Sequence, residues 1–339
     1  MQAKLFFRQQ LSPTEHSQCL LTRVAEVHRS RLVTWGDDHR VVLEAALLPD
    51  GESLTVGDWI LLDQASGRFV RRLERQSLLT RKAAGERARV QPIAANVDTL
   101  FVVTSCNRDF RPSRIERYLA LAFEANVFPV VVLTKTDLSD DPGSFERQAR
   151  AVKPGLVVEA VNALDPASVD RLAAWCGPGE TVAFVGSSGV GKSTLINTLS
   201  GARLATGGIR EEDSRGRHTT SGRSMHRLAG GGVLIDTPGM RELQLHDVED
   251  GLANVFAEIT ELARSCRFDD CRHESEPGCA VRSALEEGRI DQRRLDNYRK
   301  LLREQARNAA TLAEQRESSR NTGRYYRKVL NEWRKARGR

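Results

Sequence analysis

At 339 residues, with 40% hydrophobic and 28% charged side chains, the chain has the composition of an ordinary water-soluble protein and the length for two or three domains. No run approaches eighteen consecutive apolar residues, which excludes an ordinary membrane-spanning helix, and the opening Met1–Gln10 lacks the charged segment and long apolar run of a secretory leader. The formal charge of +6 is unevenly held: residues 289–339 carry sixteen Lys/Arg against six Asp/Glu, so the remainder is slightly acidic and the basic end leans toward an anionic partner.

Residues 20–75 predict short strands broken by turns, with apolar runs at 40–48, 58–62 and 69–73 separated by Pro49-Asp50-Gly51 and Ser66-Gly67. Too short for a many-stranded sandwich, residues 1–78 fit a small OB-type β-barrel, an architecture that often binds nucleic acid. The basic tract Arg71–Arg89, with Ala83-Ala84-Gly85 and little periodicity, is expected to be a linker. From Ala95 buried strands alternate with helical stretches: strands at 99–104, 130–134, 156–161, 181–185 and 233–236, helices at 112–124 and 192–199. That alternation predicts a parallel sheet covered by helices on both faces, an α/β domain over 79–250. Beyond Glu242 no strand is expected, and the tail from Asp291 is Arg-rich, polar and of helical propensity.

Gly186-Ser187-Ser188-Gly189-Val190-Gly191-Lys192-Ser193, followed by Thr194, has the spacing of a phosphate-binding loop between a strand and a helix. Its glycines let the backbone wrap phosphates, and the helix N-terminus adds oriented N–H donors. Lys192 is expected to neutralise the β- and γ-phosphates of a nucleotide, and the Ser193 hydroxyl to hold the Mg2+ that bridges them. About fifty residues on, Asp236-Thr237-Pro238-Gly239 closes an apolar run. Asp236 would reach that metal through water, and the Gly239 N–H would sense the γ-phosphate.

Thr134-Lys135-Thr136-Asp137 also ends an apolar strand, and it resembles the NKxD guanine motif of translational GTPases with Thr in place of Asn. Asp137 can accept hydrogen bonds from guanine N1 and N2, which adenine cannot supply, and the Lys135 stem can lie along the base. Val161-Asn162-Ala163 occupies the place of the Ser-Ala loop whose backbone N–H reads guanine O6. Together these residues point to GTP and GDP.

The base motif precedes the phosphate loop, the reverse of ordinary GTPases, as circular permutation at exposed loops would leave it. This order, with Pro92-Ile93-Ala94-Ala95-Asn96-Val97-Asp98 before the first strand and Gly216-Arg217-His218-Thr219-Thr220 between phosphate loop and DTPG, resembles the ribosome small-subunit-dependent GTPase family (RsgA, also called YjeQ). The resemblance covers nearly the whole chain apart from a divergent barrel and the segment Thr104-Ser105-Cys106-Asn107. It implies ribosome-stimulated GTP hydrolysis in late maturation of the 30S subunit, contact with 16S rRNA, and a cytoplasmic monomer with no DNA or membrane partner. Met240 stands where Ras-like enzymes place the Gln that orients the attacking water, so slow intrinsic turnover is expected. His218 is the substitute that the family pattern implies, acting beside Lys192. Thr219 or Thr220 is expected to bind Mg2+, and the sequence does not decide between them.

Cys266-x4-Cys271-x-His273-x5-Cys279 offers three thiolates and an imidazole within fourteen residues, a set that closes a tetrahedral structural Zn2+ site with no open position. It matches the zinc domain of the same family and is placed in a domain over 251–339, whose basic helical tail suits RNA phosphates. Cys19, Cys106 and Cys176 are expected to be core or incidental residues. Two other readings stay open. One is an RNA-binding assembly factor that uses GTP as a structural ligand, against which Lys192, Ser193 and Asp236 argue; the other is a GTPase with a non-ribosomal protein partner.

Overall fold

A computed structural model describes residues 4–36, 39–49, 52–82, 90–200, 223–236 and 248–309. Five strands come first: β1 (Cys19–Val27), β2 (Arg31–Trp35), β3 (Arg40–Glu44), β4 (Trp59–Asp63) and β5 (Phe69–Arg72). All neighbouring pairs are antiparallel, in the order β3-β2-β1-β4-β5. Period-two alternation sends Val24, Leu32, Leu43, Ile60 and Leu62 into one cluster, and Trp59 and Leu61 into another with Leu73 and Phe7. The strand expected over 40–48 stops at Glu44, because Ala45–Leu47 turns as a 3-10 helix. Two alanines give little β-preference there, and Leu47 is left 72% exposed, so no packing rewards an extended chain.

The expected linker over Arg71–Arg89 is overturned in its described part. β5 runs to Arg72, and β6 (Leu78–Lys82) pairs with β7 (Val90–Ala95). Three arginines at the start of the tract are ion-paired: Arg71 with Glu15 at 2.7 Å, Arg72 with Glu52 at 2.9 Å, and Arg75 with the fully buried Asp58 at 2.6 Å. Charge density imitated a solvated segment because the neutralising acids lie 17 to 56 residues away in the chain.

Six further strands follow: β8 (Thr99–Ser105), β9 (Phe128–Thr134), β10 (Val157–Ala160), β11 (Thr181–Val185), β12 (Arg223–Arg227) and β13 (Val233–Asp236). Their order is β10-β9-β8-β11-β13-β12, with every neighbour parallel except the antiparallel β12–β13 pair. Phe101, Val103, Val130, Val132, Val182 and Phe184 pack on one face with Leu195 and Ile196 of the helix Lys192–Ser200. The alternate residues Leu100, Val102, Val131 and Leu133 are equally buried, as strands covered on both faces require. β12 also pairs with β1, at Glu26–Ser224 and Val27–Arg223, so one sheet of eleven strands runs from the α/β region into the N-terminal strands.

The contacts divide the chain into two units, one within 1–80, 92–243 and 250–257, the other within 81–91, 244–249 and 258–339. In the second unit the described residues beyond 257 are helical or looped, with helices at Ala280–Glu286 and 292–309 and no strand, as expected. No helix among the described residues is long and apolar enough to cross a membrane.

Candidate nucleotide site and metal centre

Despite their rotated order in sequence, the described motifs emerge at one edge of the sheet. Thr134 ends β9, the Asn162-Ala163 loop follows β10, Gly186 follows β11 and Asp236 ends β13. These strands are mutually parallel, so all four positions lie at the carboxyl edge, where open α/β sheets bind ligands. β9 and β11 are separated only by β8, which sets the ends of these two strands about 10 Å apart across the sheet, with the loops that follow them reaching toward each other. That spacing fits the two ends of one nucleoside triphosphate.

The phosphate loop is shaped by its glycines and tied to its neighbours. Gly186 adopts a φ of 148° that side chains rarely take, and a Cβ there would stand 2.2 Å from the Val103 carbonyl of β8. Val190 is buried, whereas Ser188 and Gly189 are exposed and Ser187, Gly191, Ser193 and Thr194 are half-buried. Ser193 and Thr194 lie in the first turn of the helix Lys192–Ser200, whose leading N–H groups have no partners within the helix. The Lys192 ammonium is buried inside the loop, donating to the Gly186 carbonyl at 2.7 Å and to the Ser187 carbonyl. A cation held there, beside a helix N-terminus, can neutralise polyphosphate.

Hydrogen bonds join the base side to the phosphate side. The buried Thr134 hydroxyl donates to the Val190 carbonyl at 2.6 Å. Lys135 turns the chain in the left-handed region, φ 57°, which leaves Asp137 exposed at the start of a short 3-10 turn. Across the β9–β10 pair, the Asn162 N–H donates to Ser168 Oγ at 2.9 Å and the Asn162 side chain accepts from the Leu164 N–H at 3.0 Å. Thr198, on the helix that follows the phosphate loop, donates to the Ala163 carbonyl at 2.7 Å. Ser168 and Thr198 were missed in the sequence; isolated hydroxyls on unrelated helices carry no motif.

The Thr104-Ser105-Cys106-Asn107 segment sits at the same edge. Thr104, Ser105 and Cys106 are buried, the Cys106 N–H donates to the Thr134 carbonyl at 2.9 Å, and burial pushes the Cys106 thiol up to about 11. The unusual sequence therefore packs under the base motif, and Cys106 is a core residue as expected. Cys176 is likewise buried and its thiol is raised by burial to about 12, while Cys19 is half-buried at the start of β1. His218, Thr219, Thr220 and Gly239 lie outside the described residues. Asp236 is described and exposed.

In the second unit Cys266, Cys271, His273 and Cys279 converge, one ligand atom from each lying within 4.8 Å of the others. Cys266 Sγ stands 3.9 Å from Cys279 Sγ, and the two sulfurs stand 3.6 and 3.5 Å from His273 Nδ1. Zinc–sulfur bonds of about 2.3 Å and zinc–nitrogen bonds of about 2.1 Å in a tetrahedron require edges of roughly 3.8 and 3.6 Å, so the donor set fits Zn2+. Burial raises the Cys266 thiol, but the N–H groups of Val281 and Ala280 and the neighbouring thiols outweigh it and hold it below its ordinary value. Burial, then Arg299, lowers the His273 pKa, which favours the neutral imidazole a metal needs.

A family model described as RsgA GTPase matches residues 72–246. The chain is 53% identical over 334 residues to a Vibrio parahaemolyticus protein named small ribosomal subunit biogenesis GTPase RsgA 2, covering 98% of this chain and 92% of that one. It is 50% identical over 307 residues to a Mesorhizobium japonicum protein named small ribosomal subunit biogenesis GTPase RsgA, covering 89% and 88%. Among solved structures, YjeQ from Thermotoga maritima superposes with a TM-score of 0.63 at 24% identity, over 84% of this chain and 98% of that one. YloQ, described as a circularly permuted GTPase, superposes with a TM-score of 0.59 at 24% identity, over 87% and 97%. The α/β region therefore has the circularly permuted GTPase fold.

Proposed function

The chain belongs to the RsgA GTPase family and is a GTP hydrolase, and from that premise we propose that it acts in late maturation of the 30S ribosomal subunit, which stimulates its turnover. The observation that carries this reading is the carboxyl edge itself, where the Thr134 hydroxyl joins the base motif to the phosphate loop at Val190. Relatives named for small-subunit biogenesis, at 53% and 50% identity over most of the chain, support the ribosomal partner.

In this reading Asp137 and Lys135 select guanine, Asn162 and Ala163 lend the loop that faces O6, and residues 186–194 cradle the phosphates. Ser193, Thr219 or Thr220, and through water Asp236 would hold Mg2+, which would supply neutralisation of the phosphate charge. Lys192 stabilises the charge that develops on the transferred phosphoryl oxygens. His218 orients the attacking water that Met240 cannot, and Gly239 registers the γ-phosphate. Cys266, Cys271, His273 and Cys279 hold one structural Zn2+.

The five antiparallel strands of residues 1–78 act as an OB-type barrel, residues 79–250 as the GTPase domain and residues 251–339 as the zinc-binding and basic helical domain. The first and last grip 16S rRNA. The protein works as a cytoplasmic monomer, without DNA or membrane partners. Single-turnover hydrolysis with and without purified 30S subunits tests the proposal. Preference for GTP over ATP and faster hydrolysis with subunits are expected, and an unchanged rate would overturn the ribosomal role while leaving the GTPase assignment intact.

A further inference from the structure

Glu276 folds back over its own loop. Its carboxylate accepts from the N–H of Arg272 at 2.9 Å, of Glu274 at 2.8 Å and of Ser275 at 3.0 Å. These donors flank His273 on both sides. His273 has a left-handed φ of 60°, a conformation that costs an L side chain on the order of 1 kcal/mol unless its surroundings impose it. Successive N–H groups curled around one anion form a concavity of the kind that binds anions in many loops. Here the anion is supplied from within, three residues after the strained position.

The strained turn has a use. It carries the buried imidazole so that Nδ1 stands 3.6 and 3.5 Å from the sulfurs of Cys266 and Cys279. Gly278, at a φ of 75°, then lets the chain return: its carbonyl accepts from the Arg267 N–H at 3.1 Å, which brings the two ends of the loop together. Glu276 is not in the set of four whose ligand atoms converge. A carboxylate in a metal-binding loop is ordinarily suspected as a ligand, and this one is committed to the backbone.

We propose that Glu276 is the positioning residue of the zinc loop, fixing the left-handed turn at His273 so that the imidazole enters the coordination sphere through Nδ1. The proposal rests on the zinc reading above. Partners that orient a metal ligand typically contribute 10- to 100-fold in metal affinity without touching the metal.

Full-length wild-type protein, Glu276→Gln and Glu276→Asp are compared by competition for Zn2+ against a chromophoric chelator, and by the absorption spectrum of the Co2+-loaded forms. Glutamine keeps the volume and one acceptor oxygen. Aspartate keeps the charge with a shorter reach, so that a folding failure of one variant leaves the other readable. At least tenfold weaker Zn2+ binding is expected for both, with Co2+ bands at saturation in their wild-type positions because the ligand set is unchanged. A loss smaller than tenfold, or a shifted band pattern that makes Glu276 a ligand, would overturn the role of Glu276 alone. Wild-type protein that binds no metal would instead remove the zinc reading and this inference with it.

Discussion

Thr134 and Val190 lie 56 residues apart in sequence and meet through one hydrogen bond, the threonine hydroxyl donating to the valine carbonyl over 2.6 Å. The bond is buried and runs from the last residue of a strand to the middle of the phosphate loop. Thr134→Val removes the donor at almost constant volume and leaves that carbonyl unpaired, a loss of about 1–3 kcal/mol. If the bond organises the loop, affinity for GTP and GDP falls together, by about tenfold, with no change in preference over ATP. Titration of a fluorescent nucleotide with both guanine ligands decides it. A change in base preference would mean that Thr134 reads the base directly.

Asp137 is exposed at the carboxyl edge, two residues beyond the left-handed Lys135. A carboxylate only accepts hydrogen bonds, matching the N1 and N2 donors of guanine, whereas an amide also donates. Asp137→Asn is therefore expected to weaken GTP by at least 100-fold and to favour XTP, whose base carries an acceptor at the 2-position. Competition between GTP and XTP for the variant measures the inversion. An Asp137→Asn protein that still prefers GTP would place guanine recognition elsewhere.

The loop of residues 186–193 and the cluster of Cys266, Cys271, His273 and Cys279 were legible because each pattern is local: the chemistry proposed for them needs glycines, a lysine and thiols at fixed short spacings. The sheet strands of the GTPase region were legible for a related reason, being buried on both faces and so continuously apolar. What stayed hidden were relationships between distant positions. Arg71, Arg72 and Arg75 looked solvated because Glu15, Glu52 and Asp58 are not their chain neighbours. β12 pairs with β1 nearly 200 residues away, and nothing in Arg223–Arg227 shows that register locally. Ser168 and Thr198 likewise steady the Asn162-Ala163 loop through single hydroxyls.

Arg75 supplies the clearest stability test. It clasps the fully buried Asp58 through Nε at 2.6 Å and a second nitrogen at 2.8 Å, and Asp58 also accepts from the Thr55 N–H at 2.7 Å. Arg75→Met keeps much of the aliphatic stem but strands a buried carboxylate, which costs about 3–5 kcal/mol. Chemical unfolding followed by tryptophan emission, with Trp59 in the adjoining β4, is expected to show that loss. A change below about 1 kcal/mol would return residues 71–75 to the status of a solvated tract.

Glu15 carries a pH dependence with a definite sign. Its side-chain hydrogen bond with Arg71, then the Ser12 N–H, lower its pKa from an ordinary 4.5 to about 2. A carboxylate depressed on folding stabilises the folded state fully above its unfolded value and loses that contribution as pH falls through its folded value. The Glu15–Arg71 contribution is thus expected to be constant at neutral pH and to fade between about pH 4.5 and 2. At pH 7, Glu15→Gln is expected to cost roughly 1 kcal/mol, since the pair is partly open to solvent and its Coulombic share is screened. Melting temperatures of wild type and Glu15→Gln from pH 7 to pH 2 check the sign. The gap between them should narrow on acidification, and a gap that widens or holds steady would show that Arg71 does not hold the Glu15 carboxylate ionised.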